Sequence, residues 1–313
     1  MRVVFMGTPD FAVPSLEVVM ARHQLAAVVT QPDRRKNRGQ KLQYSPVKKQ
    51  ALKYNIPIYQ PKRIDTDQFY QRLDELAPDI IVVVAFGQKI PADILRLPVH
   101  GCINVHASLL PKYRGAAPIQ YAIINGEEIT GVSTMYLSEG WDEGDIIHQL
   151  EEPISLTDTA STLHNRLAVK GAVLLEKTLT KIASGDAPRI PQNHDLATYA
   201  PKLEKKDGEI DWQLPAAVLF NHIRGMNPWP TAFTYFQSEL IKVWEAEIAD
   251  DAYHYPGKIK DITKDGISVG TGEGVLLIKQ MQRQGARRMS AYDIANGLRL
   301  RIGQCLGAEL DEN

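Results

Sequence analysis

Residues 80–87, IIVVVAFG, carry apolar side chains on both faces. A strand with one wet face alternates polar and apolar residues. A strand apolar on both sides belongs in the centre of a parallel sheet covered by helices. Working outward, RVVFMG (2–7), LAAVVTQ (25–31) and CINVHAS (102–108) read as further strands. FAVPSLEVVMAR (11–22), SPVKKQALKYN (45–55) and APIQYAIING (117–126) show helical spacing between them. This alternation predicts an α/β fold with an open, mostly parallel sheet. GVSTMYLS (131–138) and DIIHQLEEPI (145–154) flank a Gly- and acid-rich turn and predict a hairpin at the sheet's edge. A long helix follows, with Leu163, Leu167, Leu174, Leu175, Leu179 and Ile182 at helical spacing and Gly185 ending it.

The texture changes after residue 185. DAPRIPQNHDLATYAPKLEKKDGEIDW (186–212) holds three prolines and mixed charge with little periodicity. We place a first domain at 1–188, a linker at 189–207 and a second domain at 208–313. In the second domain a helix (PAAVLFNHIRGMN, 215–227) precedes strand-like runs at 231–237, 240–248 and 257–282, separated by glycine-rich turns. Ser290 is the expected cap of a last helix, 291–300. The run of short strands predicts a small OB-like β-barrel.

The 313 residues suffice for two full cores, and 44% hydrophobic with 23% charged residues is ordinary for a soluble protein. No window approaches the ~20 apolar residues of a membrane span. The N-terminus reads as a first strand rather than a signal peptide, which predicts a cytoplasmic protein without membrane association. Cys102 and Cys305 lie far apart, give no disulfide framework or metal cluster, and are expected to be buried. Net charge is −1, yet residues 33–63 hold ten Lys or Arg against the single acid Asp33, a local charge of +9. That strip either draws a polyanion or is a solvated loop and a Lys-rich helix surface. Its loop composition predicts no regular structure. From 208 onward eleven Lys or Arg face fourteen Asp or Glu, a net −3.

Asn104 and His106 stand two residues apart and so project from one face of a strand. Ligands of open α/β sheets bind beyond the carboxyl ends of the strands. An amide donor and a titratable ring are thus expected where a ligand would lie, unless His106 is a core histidine tied to a backbone carbonyl. SEGWDEGDII (138–147) supplies four acids that are either a solvated hairpin tip or the carboxylate that orients the histidine. By spacing, Asp142 and Asp145 compete for that role. Gly7 stands alone in GTPDF, where a dinucleotide fingerprint needs three glycines, which disfavours an oxidoreductase.

INVHASLLPKYRGAAPIQ (103–120) followed by GWDEGD (140–145) resembles the folate-dependent formyltransferases. GTPDFA (7–12), QPDRRKNRGQKLQYSPVK (31–48), VVAFGQKIP (83–91) and NPWP (227–230) fit the same family, and the likeness runs from residue 2 to about 300. The resemblance implies a Rossmann-like formyltransferase fold and a catalytic trio of Asn104, His106 and Asp142. It implies a folate site formed by Ser108, Leu109, Leu110 and Pro111 and lined by Phe86, Gly87 and Ile90. It further implies 10-formyltetrahydrofolate as formyl donor, no metal, and the α-amine of initiator methionyl-tRNA as acceptor. The basic loop, with Arg34, Arg35, Lys36, Arg38 and Lys41, would enter the tRNA acceptor stem. A monomer without an obligatory protein partner is expected. Two features depart from the family. Trp141 and Glu143 flank Asp142 where an aliphatic residue and a threonine are usual, and the second domain lacks the expected basic surface unless Arg283, Arg287 and Arg288 gather on one face. Family members acting on a small amine, such as an amino sugar nucleotide, are the nearest alternative, and the basic loop argues against them. A non-catalytic RNA-binding module would leave Asn104, His106 and Asp142 unexplained.

Overall fold

The computed structural model describes residues 1–36 and 41–307, with the backbone alone for 34–36 and 41. The chain divides into two compact units. The first comprises 1–118, 129–153 and 164–200; the second comprises 119–128, 154–163 and the chain from 201 onward.

In chain order the first unit contains β1 (Arg2–Gly7), α1 (Val13–Arg22), β2 (Gln24–Val29), β3 (Arg34–Lys36), β4 (Lys41–Gln43), α2 (Pro46–Lys53) and β5 (Ile58–Tyr59). There follow α3 (Asp67–Glu75), β6 (Ile80–Val84), α4 (Ala92–Arg96), β7 (Cys102–His106) and β8 (Arg114–Gly115). Helix α5 (Pro118–Ile124) passes into the second unit; β9 (Ile129–Tyr136) and β10 (Ile146–Pro153) return to the first. Helix α6 (Ala160–Ala183) and β11 (Tyr199–Ala200) complete this part. The main sheet runs β10-β9-β7-β6-β1-β2-β5. Strands β7, β6, β1, β2 and β5 are parallel, while β9 and β10 are antiparallel and form the expected edge hairpin. The chain leaves β1 toward β2 and later returns to β6 on its other side, so the connection reverses between β1 and β6. That reversal opens a crevice at the carboxyl ends of the strands.

All five residues of β6 are buried, as the opening stretch requires. On one face Val4, Met6, Ile81 and Val83 pack with Phe69, Leu73 and Ile94, so α3 and α4 cover this side. Each such side chain contributes roughly 1.5–3 kcal/mol on burial. On the opposite face α6 comes so close to β7 that a Cβ at Gly171 would sit 2.9 Å from Val105. Ser45 caps α2 by accepting from Lys48 N–H, and Thr66 caps α3 by accepting from Phe69 N–H.

Four features differ from expectation. Helix α3 was not marked by the sequence pattern, because its apolar anchors are only Phe69 and Leu73 in a polar context. Within the basic loop β3 and β4 pair, Arg34 opposite Gln43 and Lys36 opposite Lys41. The third difference lies in residues 189–207, expected as a linker. Ile190 pairs with Ile146, and β11 pairs with β8, so this segment belongs to the first unit through Ala200. Cys102 is buried, and burial pushes its thiol up to about 12. Cys305 is exposed, contrary to expectation.

The second unit holds α7 (Ala216–Gly225), β12 (Ala232–Phe236), β13 (Glu239–Ala249), β14 (Ile259–Thr263), β15 (Gly266–Gly270), β16 (Val275–Arg283), β17 (Met289–Ser290) and α8 (Ala291–Leu298). Its antiparallel sheet runs β12-β13-β16-β15-β14, with β17 beside β16. The OB-like expectation is met as an antiparallel sheet; among the described residues no ladder joins β12 to β14 to close it. Ser290 caps α8 as expected, accepting from Asp293 N–H. Among the described residues no helix is long and apolar enough to cross a membrane.

Glu152 ties α6 to the edge hairpin. Its buried carboxylate accepts from Arg166 Nε at 2.6 Å and pairs with Lys170 Nζ at 2.5 Å, two residues one helical turn apart. Burial alone would raise this carboxyl, but the hydrogen bonds from Lys170 and Arg166 outweigh it and hold its pKa below the ordinary 4.5. A depressed folded pKa gives stability that is whole above the unfolded value and lost as pH falls through the folded one. Glu152→Gln is therefore expected to cost about 1–2 kcal/mol at neutral pH, with the difference from the parent shrinking below pH 4. Chemical denaturation at pH 7 and pH 3.5 measures both values.

Candidate active site

Strand β7 delivers Asn104 and His106 to the same face, 9% and 6% exposed. The imidazole Nε2 lies 2.9 Å from the Tyr113 carbonyl. A carbonyl only accepts, so Nε2 carries the hydrogen and Nδ1 faces the other way. Asp142 Oδ2 stands 3.6 Å from Nδ1. The histidine is thus tied to a backbone carbonyl and also directed at a carboxylate, which joins the two alternatives posed by the sequence. Asn104 Nδ2 lies 3.5 Å from Asp142 Oδ1, and the Gly115 N–H donates to Asp142 Oδ2 at 2.9 Å. Asp142 itself has φ +54°, a left-handed conformation uncommon outside glycine. Asp145 is excluded from this cluster: its backbone carbonyl accepts from Tyr136 N–H, and its carboxylate lies 3.7 Å from Arg189.

The turn after β7 is built from its own polar groups. Ser108 Oγ donates to the Lys112 carbonyl at 2.6 Å, and Ser133 Oγ donates to the Ser108 carbonyl at 2.7 Å. Leu110 N–H donates back to Ser133 Oγ, and Gln149 Nε2 donates to the Leu110 carbonyl. The Leu110-Pro111 peptide is cis. The side chain of Leu109 lies against Gly131, where a Cβ would come within 2.6 Å of it. The Ser108 hydroxyl is fully buried and committed to the turn, so this residue shapes the loop.

Phe86 and Ile90 are buried in the core cluster that backs β6. The Phe86 carbonyl accepts from Thr8 Oγ1 at 3.2 Å and Gln31 Nε2 at 3.3 Å, joining the ends of β1, β2 and β6. Gly87 follows with φ +87° and open space where a side chain would project. A cavity of about 470 Å³ opens alongside, lined by Arg63, Asp65, Gln88, Lys89, Ile90 and Glu139 among others. It shares Ile90 with the expected folate residues and contains none of Asn104, His106 and Asp142. Among the described residues no group of three or more His, Cys, Asp or Glu side chains is placed to hold a metal ion.

Of the basic residues expected at a tRNA interface, Arg34, Arg35, Lys36 and Lys41 lie on the paired β3 and β4, described by their backbone alone; Arg38 lies outside the described residues. In the second unit Arg283 is neutralised by a two-pronged contact with Glu239, and Arg288 lies 3.4 Å from Glu245 and over the Trp244 ring. The arginines named as a possible basic face are thus partly offset by acids of β13.

Sequence reasoning missed the support of Asp142. Arg114 is 1% exposed and donates through Nε and Nη2 to Gln192 Oε1. Gln192 Nε2 donates to the carbonyls of Asp142 and Gly144, both at 2.8 Å. Glu143, one of the two departures, has Oε1 3.7 Å from Arg114 Nη1, and Trp141, the other, is 60% exposed. Only the position of Arg114 inside the motif KYRGAAP hinted at this; Gln192 sat in a stretch without pattern.

A parallel sheet with an edge hairpin, an Asn-x-His strand end and a carboxylate folded over it define a group-transfer enzyme fold that family comparison identifies. Residues 1–179 match the formyl transferase family and residues 202–299 the formyl transferase C-terminal domain. The chain belongs to the formyl transferase family. It is 51% identical over 310 residues to the methionyl-tRNA formyltransferase of Pelotomaculum thermopropionicum, covering 98% of this chain and 99% of that protein. Among solved structures it is similar to WlaRD, a sugar 3N-formyl transferase, with a TM-score of 0.68 at 21% identity over 92% of this chain and 99% of that one. HypX from Aquifex aeolicus matches over 97% of this chain with a TM-score of 0.65 at 17% identity; the chain spans about half (48%) of HypX.

Gly115 permits the close pairing of β8 with β11. It has φ +117°, and a Cβ there would come 2.7 Å from the Ala200 carbonyl oxygen. Gly115→Ala is expected to cost about 1–3 kcal/mol and to loosen the N–H that holds Asp142. Thermal unfolding reports the first effect and turnover the second.

Proposed function

We propose that this chain transfers the formyl group of 10-formyltetrahydrofolate to the α-amine of initiator methionyl-tRNA. One observation carries the reading. Asn104, His106 and Asp142 converge at the end of β7, in a chain sharing half its residues over its whole length with a protein named for that activity.

A bound formyl-folate supplies an electrophilic formyl carbon on a nitrogen that can depart. The accepting α-amine titrates near ~8, so a useful neutral fraction exists at physiological pH without a strong base. An amide NH2 has two hydrogens. Among the described residues Asn104 Nδ2 makes only a long contact to Asp142, which leaves a hydrogen for the formyl oxygen as that atom gains charge. One such donor is typically worth ~3 kcal/mol. The amine must lose a proton and the departing nitrogen must gain one. Asp142 accepts the first, directly or through water, and passes it to the facing His106 Nδ1, which delivers it to the departing nitrogen, so the one proton that the amine loses is the one that nitrogen gains. With Nε2–H held by the Tyr113 carbonyl, the ring keeps one orientation throughout. The carbonyls and glycine of 86–87 and the cis turn at 110–111 form the walls against which the folate lies. The open space at Gly87 is the feature of this chain that fits a flat ligand there.

The +9 strip of residues 33–63, which includes Arg34, Arg35, Lys36, Arg38 and Lys41, meets the tRNA acceptor stem. Phosphate contacts of this kind give an affinity that falls steeply with salt.

Formylation assays with charged initiator tRNA, uncharged initiator tRNA and charged elongator methionine tRNA test the reading; turnover is expected with the first alone. Folate turnover with none of the three moves the acceptor to a small amine. His106→Ala and Asp142→Ala are each expected to lower single-turnover rates at least 100-fold while changing KM for either substrate by less than about threefold. Arg38→Ala is expected to raise KM for the tRNA and flatten its salt dependence, leaving KM for the folate unchanged; tRNA titrations at two salt concentrations measure this.

A further inference from the structure

The loop that carries Asp142 is clamped from beneath by two side chains that the proposed chemistry does not use. Gln192 Nε2 donates to the carbonyls of Asp142 and Gly144. Between these two residues, the Glu143 carboxylate faces Arg114 Nη1 at 3.7 Å. Three successive residues are therefore held from one side. The orientation of the Gln192 amide follows from its partners. Arg114 Nε and Nη2 both point at one of its terminal atoms, at 3.1 and 2.8 Å, and a guanidinium only donates. That atom is the oxygen, so the nitrogen must be the one facing the two carbonyls. Arg114 and Gln192 are both buried, where unmet polar groups are costly and satisfied networks are rigid. What they hold is a strained residue. A left-handed aspartate costs roughly 1–2 kcal/mol and persists only where its surroundings impose it.

We propose that Arg114 and Gln192 are positioning residues for formyl transfer. They impose the left-handed conformation of Asp142, by which its carboxylate reaches His106 and Asn104. The proposal rests on the functional reading above, and it makes the segment around Gln192, outside the motifs at the strand ends, part of what positions the site.

Gln192→Glu separates positioning from folding. A carboxylate still accepts from Arg114, so the buried guanidinium stays paired, but it presents an oxygen to the Asp142 and Gly144 carbonyls and repels them. Turnover is expected to fall about 10–100-fold, with KM for folate and tRNA within about threefold and the melting temperature close to the parent's. Coupling gives a second readout. If Gln192 acts through Asp142, the double variant Gln192→Glu with Asp142→Ala turns over no more slowly than Asp142→Ala alone. If Gln192→Glu does not fold, Gln192→Ala enters the same cycle. Unchanged turnover in the single variant, or additive losses in the cycle, overturns the positioning role and leaves the function standing. An active parent whose rate is insensitive to Asp142→Ala overturns the trio and, with it, this proposal.

Discussion

A carboxylate has to travel backward to reach the histidine, and the rest of the site is arranged around that requirement. Strand β9 runs antiparallel to β7, with Ser133 opposite His106 and Tyr136 opposite Ile103. The loop after Tyr136 therefore starts at the wrong end of β7. Ile103 and His106 are separated by ~10 Å along an extended strand. Asp142 recovers that distance because the loop folds back across the sheet face instead of standing in solvent. Asp142 has a left-handed φ within this loop, and the Gly115 N–H holds its carboxylate. The acidic run 138–147 looks like a wet hairpin tip because composition reports exposure and not direction.

Strand β8 links this constraint to the end of the first unit. It has two residues, and each has a separate task. The Arg114 side chain grips Gln192, and the Gly115 backbone grips Asp142. Their partner β11 supplies the Ala200 carbonyl, which accepts from Ala116 and Ala117 N–H and leaves no room for a Cβ at Gly115. Residues 189–200 thus complete the floor of the site, which explains why the first unit extends past the long helix to Ala200.

The sequence disclosed elements that bury a periodic apolar face, and missed those held by polar contacts at long sequence separation. The strands at 2–7, 80–84 and 102–106 and the long helix at 160–183 were legible because their apolar residues recur at fixed spacing. Helix α3 was not, since two buried residues in nine make a weak period, although Thr66 ahead of it was a readable cap. Asn104 and His106 were legible as a same-face pair at a strand end. Spacing alone left Asp142 and Asp145 open, because the choice depends on a backbone reversal that spacing does not encode; the family resemblance named Asp142, and its carboxylate is the one that faces His106. Gln192 was invisible: its role is set by Arg114, 78 residues away, and no local pattern marks it.

Charge also divides unevenly between the two units, and the distribution bears on how a polyanion would approach. The first carries the +9 strip, whereas from residue 208 onward the net charge is −3 and Arg283 and Arg288 are already facing glutamates. Long-range attraction acts on net charge within about a Debye length, ~8–10 Å at physiological salt. For a polyanionic partner the strip of 33–63 would then dominate the attraction. The negative charge from 208 onward opposes such a partner, and the cations nearby are engaged locally: Lys242 and Arg288 both lie against the Trp244 ring.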